Sequence, residues 1–413
     1  MEVKMLELLS PAGNMEKLKT AVYFGANAVY FSGKSFGMRA FAGNFTNEEI
    51  EDAIKFCHSK NVKCYVTVNI VAHNRDFENL PEYLQFLNSV KVDGIIVSDL
   101  GVISYIKKYA PDTEIHISTQ ANVTNKHTAK MLVEMGAKRI VLARELTLTE
   151  VKEIKDFLPN NVELEAFVHG AMCISYSGRC LLSNFLTNRD SNNGECIQAC
   201  RWGYTINEVN RKNEQLPIEQ DERGTYILNS KDLNMLEYIS ELADAGVTSL
   251  KVEGRMKSPY YVATVTNAYR RAIDEYYKCL KQNKPFKCPQ VLVEELEKAS
   301  HRRYTTGFNF KDKVKEESEY LLSSTPVQTH EFMAIVLEDS KDGEVVIEQR
   351  NKFVVGDVLE VLSPNETFNK TIKVESLKTL ADEEVSEAKL VKQVLKLKTN
   401  LPLKQGDILR KQV

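Results

Sequence analysis

A unit that repeats along the first 170 residues constrains this chain most. A short β-branched run ends in polar residues, and an amphipathic stretch of ten to fifteen residues follows. The runs are Leu6–Leu9, Ala28–Phe31, Cys64–Ile70, Gly94–Val97, Glu114–Ser118, Arg139–Ala143 and Val162–Val168. Two of the helical stretches open with capping boxes, Thr46-Asn-Glu-Glu49 and Thr147-Leu-Thr-Glu150. Strands apolar on nearly every residue are buried on both faces, which means a parallel sheet wrapped by helices. An eighth run, Thr248–Val252, follows a helical pattern at Asn234–Ala245. Its own helix is expected to start at Ser258-Pro259 and run to about Lys281. Eight such units make the count of a TIM (β/α)8-type barrel. The alternative, a doubly wound open sheet, needs fewer strands and a glycine-rich first turn, and the chain has no GxGxxG.

The expected fold class is therefore α/β, a barrel domain over residues 1–322. A cysteine-rich insertion at 170–226 leaves the C-terminal end of the seventh strand, the end where barrel active sites lie. Within it, 207–224 is polar and reads as a surface loop. A linker is expected at 323–329, centred on Ser323-Ser-Thr-Pro326. Short alternating runs follow at Met333–Leu337, Glu344–Ile347, Asp357–Val361, Thr371–Val374 and Leu390–Leu397. They read as a small C-terminal all-β barrel domain at 330–413. The chain is 43% hydrophobic and 27% charged, the balance of folded protein. No apolar run is long enough for a membrane helix, and the acidic start does not suit a signal peptide, so a cytoplasmic location is expected. A net charge of -3 excludes a globally basic coat, but not a local basic patch.

Four of the eight cysteines, Cys173, Cys180, Cys196 and Cys200, fall in the insertion with the spacing C-x6-C-x15-C-x3-C. Without an export signal they read as thiols or metal ligands, not as a disulfide frame. Thiolates suit iron–sulfur clusters and zinc. Structural zinc favours knuckles with two to four intervening residues, and only Cys196 and Cys200 qualify. Small residues, Gly170, Ala171, Ser175, Ser177 and Gly178, would let backbone amides reach the sulfurs. Spacing alone leaves iron–sulfur and zinc open, with unmetallated buried thiols as the bland alternative.

The stretch Glu165-Ala-Phe-Val-His169-Gly-Ala-Met-Cys173-Ile-Ser-Tyr-Ser-Gly-Arg-Cys180 resembles the signature of the collagenase-like peptidase family, peptidase U32. Ser10-Pro-Ala-Gly13, Leu228-Asn-Ser-Lys-Asp-Leu233 and Lys251-Val-Glu-Gly-Arg-Met-Lys-Ser-Pro259 fit it in the same order. The resemblance covers essentially the whole chain and is nearest to the branch of prephenate-dependent tRNA uridine hydroxylation proteins. It implies 5-hydroxylation of the wobble uridine of tRNA, with prephenate as small co-substrate and a second family member as possible partner. It also implies a 4Fe–4S cluster on Cys173, Cys180, Cys196 and Cys200. Other branches place the fourth cysteine just after Lys-Asp-Leu, where this chain has Asn234.

The family name calls for a search for protease machinery. Gly33-Lys-Ser-Phe-Gly37 matches G-x-S-x-G, but no helix is expected directly after Ser35, as a nucleophile elbow requires. His330-Glu331-Phe-Met-Ala334 falls one histidine short of H-E-x-x-H. A Cys173–His169 thiol pair is incompatible with Cys173 holding a cluster. Gly33-Lys34-Ser35 ends like a P-loop, but Ala28 stands where its first glycine belongs.

Polar residues recur at strand C-termini, where a barrel's site lies: Asn69, Asp99, Gln120, Asn122, Arg144, Glu145, His169, Lys251, Glu253 and Arg255. His169, Lys251 and Glu253 are the catalytic candidates. Arg39, Asn69, Gln120, Asn122, Arg144, Glu145 and Arg255 are the substrate-binding candidates, the arginines matching two carboxylates of prephenate. Salt-bridged rims, Arg144–Glu145 and Lys251–Glu253, are the bland reading. His116 is expected as a satisfied interior histidine. For tRNA, the basic candidates are Lys251, Arg255, Lys257, Arg270 and Arg271, then His301-Arg302-Arg303, then Lys389, Lys392, Lys396 and Lys398, with Trp202 able to stack on a base or shield the cluster. Two other readings compete with RNA hydroxylation: a U32-type peptidase, and a non-catalytic RNA-binding or assembly factor.

Overall fold

The computed structural model describes residues 5–37, 43–172, 187, 197, 219–221, 224–226, 231–310 and 327–413. Seven parallel strands run in chain order: β1 (Glu7–Pro11), β2 (Ala28–Phe31), β3 (Lys63–Val68), β4 (Gly94–Val97), β5 (Glu114–Ile117), β6 (Ala137–Val141) and β7 (Glu163–Ala171). Further along come β8 (Glu219–Asp221), β9 (Gly224–Tyr226), β10 (Asp232–Asn234) and β11 (Ser249–Val252). Strand β11 pairs in parallel with both β1 and β7 and closes an eight-stranded barrel.

The connecting helices begin where the sequence supplies caps. Thr46 and Thr147 make complete capping boxes on α2 (Asn47–Ser59) and α6 (Leu148–Phe157). Ser258 caps α8 (Pro259–Lys281), and its hydroxyl accepts from the Tyr261 amide. Between the strands and the helices lies one apolar layer containing Leu8, Val29, Val66, Ile95, Ile117, Ile140, Leu164 and Leu250. The alternate positions form a second, smaller apolar group: Leu9, Ala28, Tyr30, Tyr65 and Ile96.

Charge shares that inner compartment. Arg139 on β6 donates to Glu7 on β1 at 2.6 Å and to Glu165 on β7 at 3.1 Å. It also donates to Glu163 at 2.6 Å. Strand β1 adjoins β2 and β11, so the Arg139–Glu7 bond crosses the lumen. Tyr65 donates to Glu7 at 2.7 Å, and the Arg139 guanidinium lies 4.9 Å from the Tyr65 ring centre. Most barrels fill this space with branched aliphatics. Here a buried cation ties strands together.

Two elements differ from the sequence expectation. The helix expected at Asn234–Ala245 is shorter: Asn234 ends β10, a 3-10 turn spans Leu236–Tyr238, and α7 (Ile239–Asp244) follows. Asp232 is committed to Arg302, bonded at 2.6 Å, and β10 pairs antiparallel with the end of β7. That pairing extends β7 to Ala171, three residues beyond Val168. The expected surface loop also holds strand structure at its end, since β8 pairs with β9.

The C-terminal unit is all-β. Besides the pair β15 (Phe353–Val354) and β20 (Glu387–Ala388), it has one sheet of eight strands: β13 (His330–Val336), β14 (Glu344–Gln349), β16 (Val358–Leu362), β17 (Thr371–Lys373), β18 (Leu377–Lys378), β19 (Glu384–Val385), β21 (Val394–Lys398) and β22 (Ile408–Gln412). They pair antiparallel in the order β17-β16-β22-β13-β14-β21-β18-β19. The expected linker at 323–329 falls partly outside the described residues, and Val327 within it bridges to His301.

This unit is fastened to the barrel by polar contacts. Arg410 on β22 is fully buried and donates to both oxygens of Glu295, at 2.5 and 2.7 Å. Glu295 belongs to α9 (Gln290–Leu296). Arg410 also donates to Glu360 at 2.8 Å. Removing one partner of a buried pair strands the other's charge, so Arg410→Met will cost about 3–5 kcal/mol, read as a lower urea midpoint of the full chain.

Candidate active site at the barrel mouth

The mouth has a neutral half and a charged half. On the neutral side, Asn69 follows β3 and its amide donates to the Ser118 hydroxyl at 3.3 Å. The Ser98 hydroxyl donates to the Asn69 carbonyl at 3.3 Å, and the Gln120 amide donates to Ser118 at 3.3 Å. These bonds tie the ends of β3, β4 and β5 together. Asn122 closes the turn in the left-handed region, a conformation asparagine tolerates. Among the described residues, the side-chain oxygens of Asn69 and Asn122 are buried without a hydrogen-bond partner.

On the charged side, Arg144 after β6 donates to the Ala171 carbonyl at 2.7 Å. Its guanidinium lies 3.9 Å from the centre of the Phe167 ring. Lys251 on β11 is buried and donates to Glu165 at 2.6 Å. Its ammonium lies 4.5 Å from the Tyr30 ring centre and 5.3 Å from that of Phe167. Burial pushes the Lys251 pKa below its ordinary value, partly offset by Glu165. Burial would raise the Glu165 carboxyl, but Lys251 and Arg139 outweigh it and hold its pKa low. The Tyr30 hydroxyl donates to the Val252 carbonyl at 2.9 Å and lies 3.3 Å from Glu253 Oε2.

Close backbone packing sets the position of Glu253 and Arg255. A Cβ on Gly13 would meet the Arg255 carbonyl at 2.3 Å. Gly170 has φ of +105°, and a Cβ there would meet the Glu253 carbonyl at 2.6 Å. Gly170→Ala will therefore destabilise the barrel by about 1–3 kcal/mol and displace Glu253, measurable as a lower unfolding midpoint.

The remaining candidates are placed as follows. Glu145 follows Arg144 in the loop after β6 and is half-buried, and Arg255 is buried. Arg39, the four insertion cysteines and Trp202 lie outside the described residues. Asp99 is the N-cap of α4 (Leu100–Tyr109), its carboxylate accepting from the Val102 amide at 3.0 Å. His169 is packed among the rings of Tyr261 and Tyr269 on α8, and of Tyr304, at 5.3–6.0 Å. It stands behind the mouth, on the helix side of β7. Burial first, opposed by Asp232, lowers its pKa to about 3, so it is neutral. His116 is fully buried, with Nε2 3.2 Å from Glu114 and Nδ1 unpartnered, so it is only half satisfied.

Several side chains that shape the mouth escaped sequence reasoning: Phe167, Tyr30, Glu165 and Arg139. The alternation Glu163-Leu-Glu165-Ala-Phe167 was their signal, because two acids at one face of an otherwise apolar strand need a buried partner.

Of the basic groups suggested for RNA, many are engaged within the chain. Arg271 donates to the Ser363 and Asn365 carbonyls, Arg302 pairs with Asp232, and Lys257 donates to the Ser300 carbonyl. Lys396 pairs with Asp382, Lys398 with Glu375 and Lys389 with Glu387.

Ser35 does not sit on a nucleophile elbow: residues 34–36 form a bend and no helix begins there. His330 and Glu331 lie on strand β13, not on the helix that a zinc-protease pair needs. Among the described residues, no three His, Cys, Asp or Glu side chains gather as a metal site. Cys57, Cys64, Cys279 and Cys288 are free thiols. The insertion's four cysteines lie outside the described residues; four thiolates are a donor set whose chemistry suits an iron–sulfur cluster or zinc. No helix among the described residues is long and apolar enough to cross a membrane.

Comparison with known proteins extends along the whole chain. The "tRNA hydroxylation protein P1" of Bacillus subtilis (strain 168) is 39% identical over 413 residues, covering 99% of this chain and 95% of that protein. The "tRNA hydroxylation protein P" of Escherichia coli (strain K12) is 35% identical, covering 89% and 88%. A protein named "Collagenase" from Porphyromonas gingivalis (strain ATCC BAA-308 / W83) is 35% identical, covering 67% of each chain. The model of peptidase family U32 matches residues 13–319, and that of the U32 C-terminal domain matches 328–410. With a barrel and a β unit each matched by its own model, the chain belongs to peptidase family U32.

Proposed function

We propose that this chain is a tRNA-modifying enzyme that 5-hydroxylates the wobble uridine, using prephenate and a 4Fe–4S cluster held by Cys173, Cys180, Cys196 and Cys200. The observation that carries this reading is the near-complete alignment with proteins named for tRNA hydroxylation, in a chain whose mouth offers hydrogen-bonding amides beside cations. A uridine drawn out of the anticodon loop enters the mouth. Asn69, Gln120 and Asn122 meet its polar edge, since an amide both accepts and donates. Arg144 and Arg255, with Arg39, take the carboxylates of prephenate. Phe167 offers a ring face to a planar ligand. Glu253, steadied by Tyr30, holds or moves a proton at the mouth, and neutral His169 anchors the root of the cysteine insertion. When bound, the cluster supplies one-electron chemistry. A second family member as partner belongs to the same reading.

A peptidase reading draws on the family's name and on one relative's name, but neither the Ser35 bend nor the His330–Glu331 strand gives it a nucleophile or a metal pair. The test is mass spectrometry of nucleosides in tRNA from a strain lacking this gene. Wobble hydroxylation will fall in the absence of the chain and return with it. Unchanged hydroxylation without any other route, or cleavage of peptides by the purified chain with all four cysteines replaced, would overturn the proposal.

A further inference from the structure

We propose that Lys251 is a covalent catalyst: its amine condenses with the carbonyl of a 2-oxo carboxylic acid bound in the barrel mouth, giving a protonated imine. The inference deepens the reading above and rests on it, because it names the chemical class of the co-substrate and the residue that carries it.

Lys251 sits on the last strand of the barrel, one position before its end, with its amine inside the lumen. Among the described residues its hydrogen-bond partner is Glu165. The ring faces of Tyr30 and Phe167 also lie near it, and the charges of Glu253 and Arg139 act on it as well. An ammonium needed only to neutralise a carboxylate would be served as well by arginine, and the layer below does use one, Arg139, for that purpose. An amine among rings differs from a guanidinium in one chemical respect, its capacity to become a nucleophile. Burial favours its neutral form.

The same surroundings suit the product. A protonated imine keeps its positive charge on nitrogen, so the pair with Glu165 at 2.6 Å survives the reaction. Tyr30 and Phe167 exclude water, which would hydrolyse the imine. The carboxylate of a 2-oxo acid needs a cation beside the carbonyl. Arg144, packed on the same Phe167 ring, puts one there. Simple aldehydes lack that anchor, and simple carboxylates lack the reactive carbonyl.

The step balances without an oxidant or reductant. The ammonium and the ketone give the protonated imine and water. The carbon–nitrogen bond forms, the carbon–oxygen bond breaks, and the oxygen leaves with two of the three ammonium protons. The resulting cation draws electrons from neighbouring carbon bonds and so activates the acid for later steps.

The experiment uses the full chain with pyruvate or prephenate as probe, and sodium borohydride to reduce any imine to a stable amine. Peptide mass spectrometry should find the reduced adduct on Lys251. Lys251→Arg keeps the ion pair, so it should hold its unfolding midpoint and its affinity for tRNA while the adduct falls at least about tenfold. No adduct on the wild-type chain at saturating acid, or equal labelling of surface lysines, would overturn the proposal. Nucleoside analysis is read separately. Hydroxylation without the adduct removes the imine and leaves the tRNA reading in place. The adduct without hydroxylation removes the tRNA reading and leaves the imine.

Discussion

Replacing Arg139 by leucine will lower the unfolding free energy of the barrel by about 3–5 kcal/mol, seen as a fall in the urea midpoint. The side chain is 2% exposed and bonds Glu7, Glu163 and Glu165 at once. Without it three carboxylates share the lumen, and among the described residues Lys251 is left to pair with Glu165. Adding Glu7→Gln will recover part of the loss, because it removes one stranded charge. The pH dependence carries a sign. Glu165 has a folded pKa below its unfolded value, so it contributes stability above the ordinary carboxylate pKa, and that contribution fades as pH falls through the lower folded value. In the Arg139→Leu chain this acid-side loss will be smaller, because one of the two cations holding the carboxyl low is gone. Equal acid profiles for both chains would contradict the lumen network.

Replacing any one of Cys173, Cys180, Cys196 or Cys200 by alanine will reduce wobble hydroxylation in complemented cells by about a hundredfold or more. A cluster depends on every thiolate of its set. Cys279→Ala, a change at a half-buried free thiol on the outer helix α8, will leave hydroxylation unchanged. The comparison separates a cluster from a general need for reduced thiols. Full hydroxylation in the Cys173→Ala chain would favour the assembly-factor reading.

The barrel was legible because its strands repeat at regular intervals and its helices carry caps in the sequence. The lumen was not. Apolar runs were taken as uniformly buried on both faces, yet the inner face of β7 carries Glu163 and Glu165, and their partner Arg139 comes from β6. The acids mark a strand face that needs a partner, but nothing local names that partner as Arg139 on the neighbouring strand or reveals its bond across the lumen to Glu7. Asn69 and Arg144 stand at strand C-termini, where polar residues were expected to ring the mouth, but two residues of the same set are used otherwise. Asp99 caps the helix that follows it, a use that sequence position alone does not distinguish from catalysis. His169 lies where β7 runs on to pair with β10 and where the β11–β7 register shifts between Lys251 and Val252. The shift breaks simple alternation, and the ring goes to α8. The helix expected from Asn234 starts later because Asn234 still pairs with His169 in β10, a partner far away in the sequence.

The central claim, that this U32 chain carries an iron–sulfur centre on the insertion leaving its seventh barrel strand, is tested most directly by the metal content of the protein purified without air. About four iron and four acid-labile sulfide per chain are predicted, falling together in the Cys173→Ala variant. Stoichiometric zinc, or a colourless chain free of iron, would contradict it.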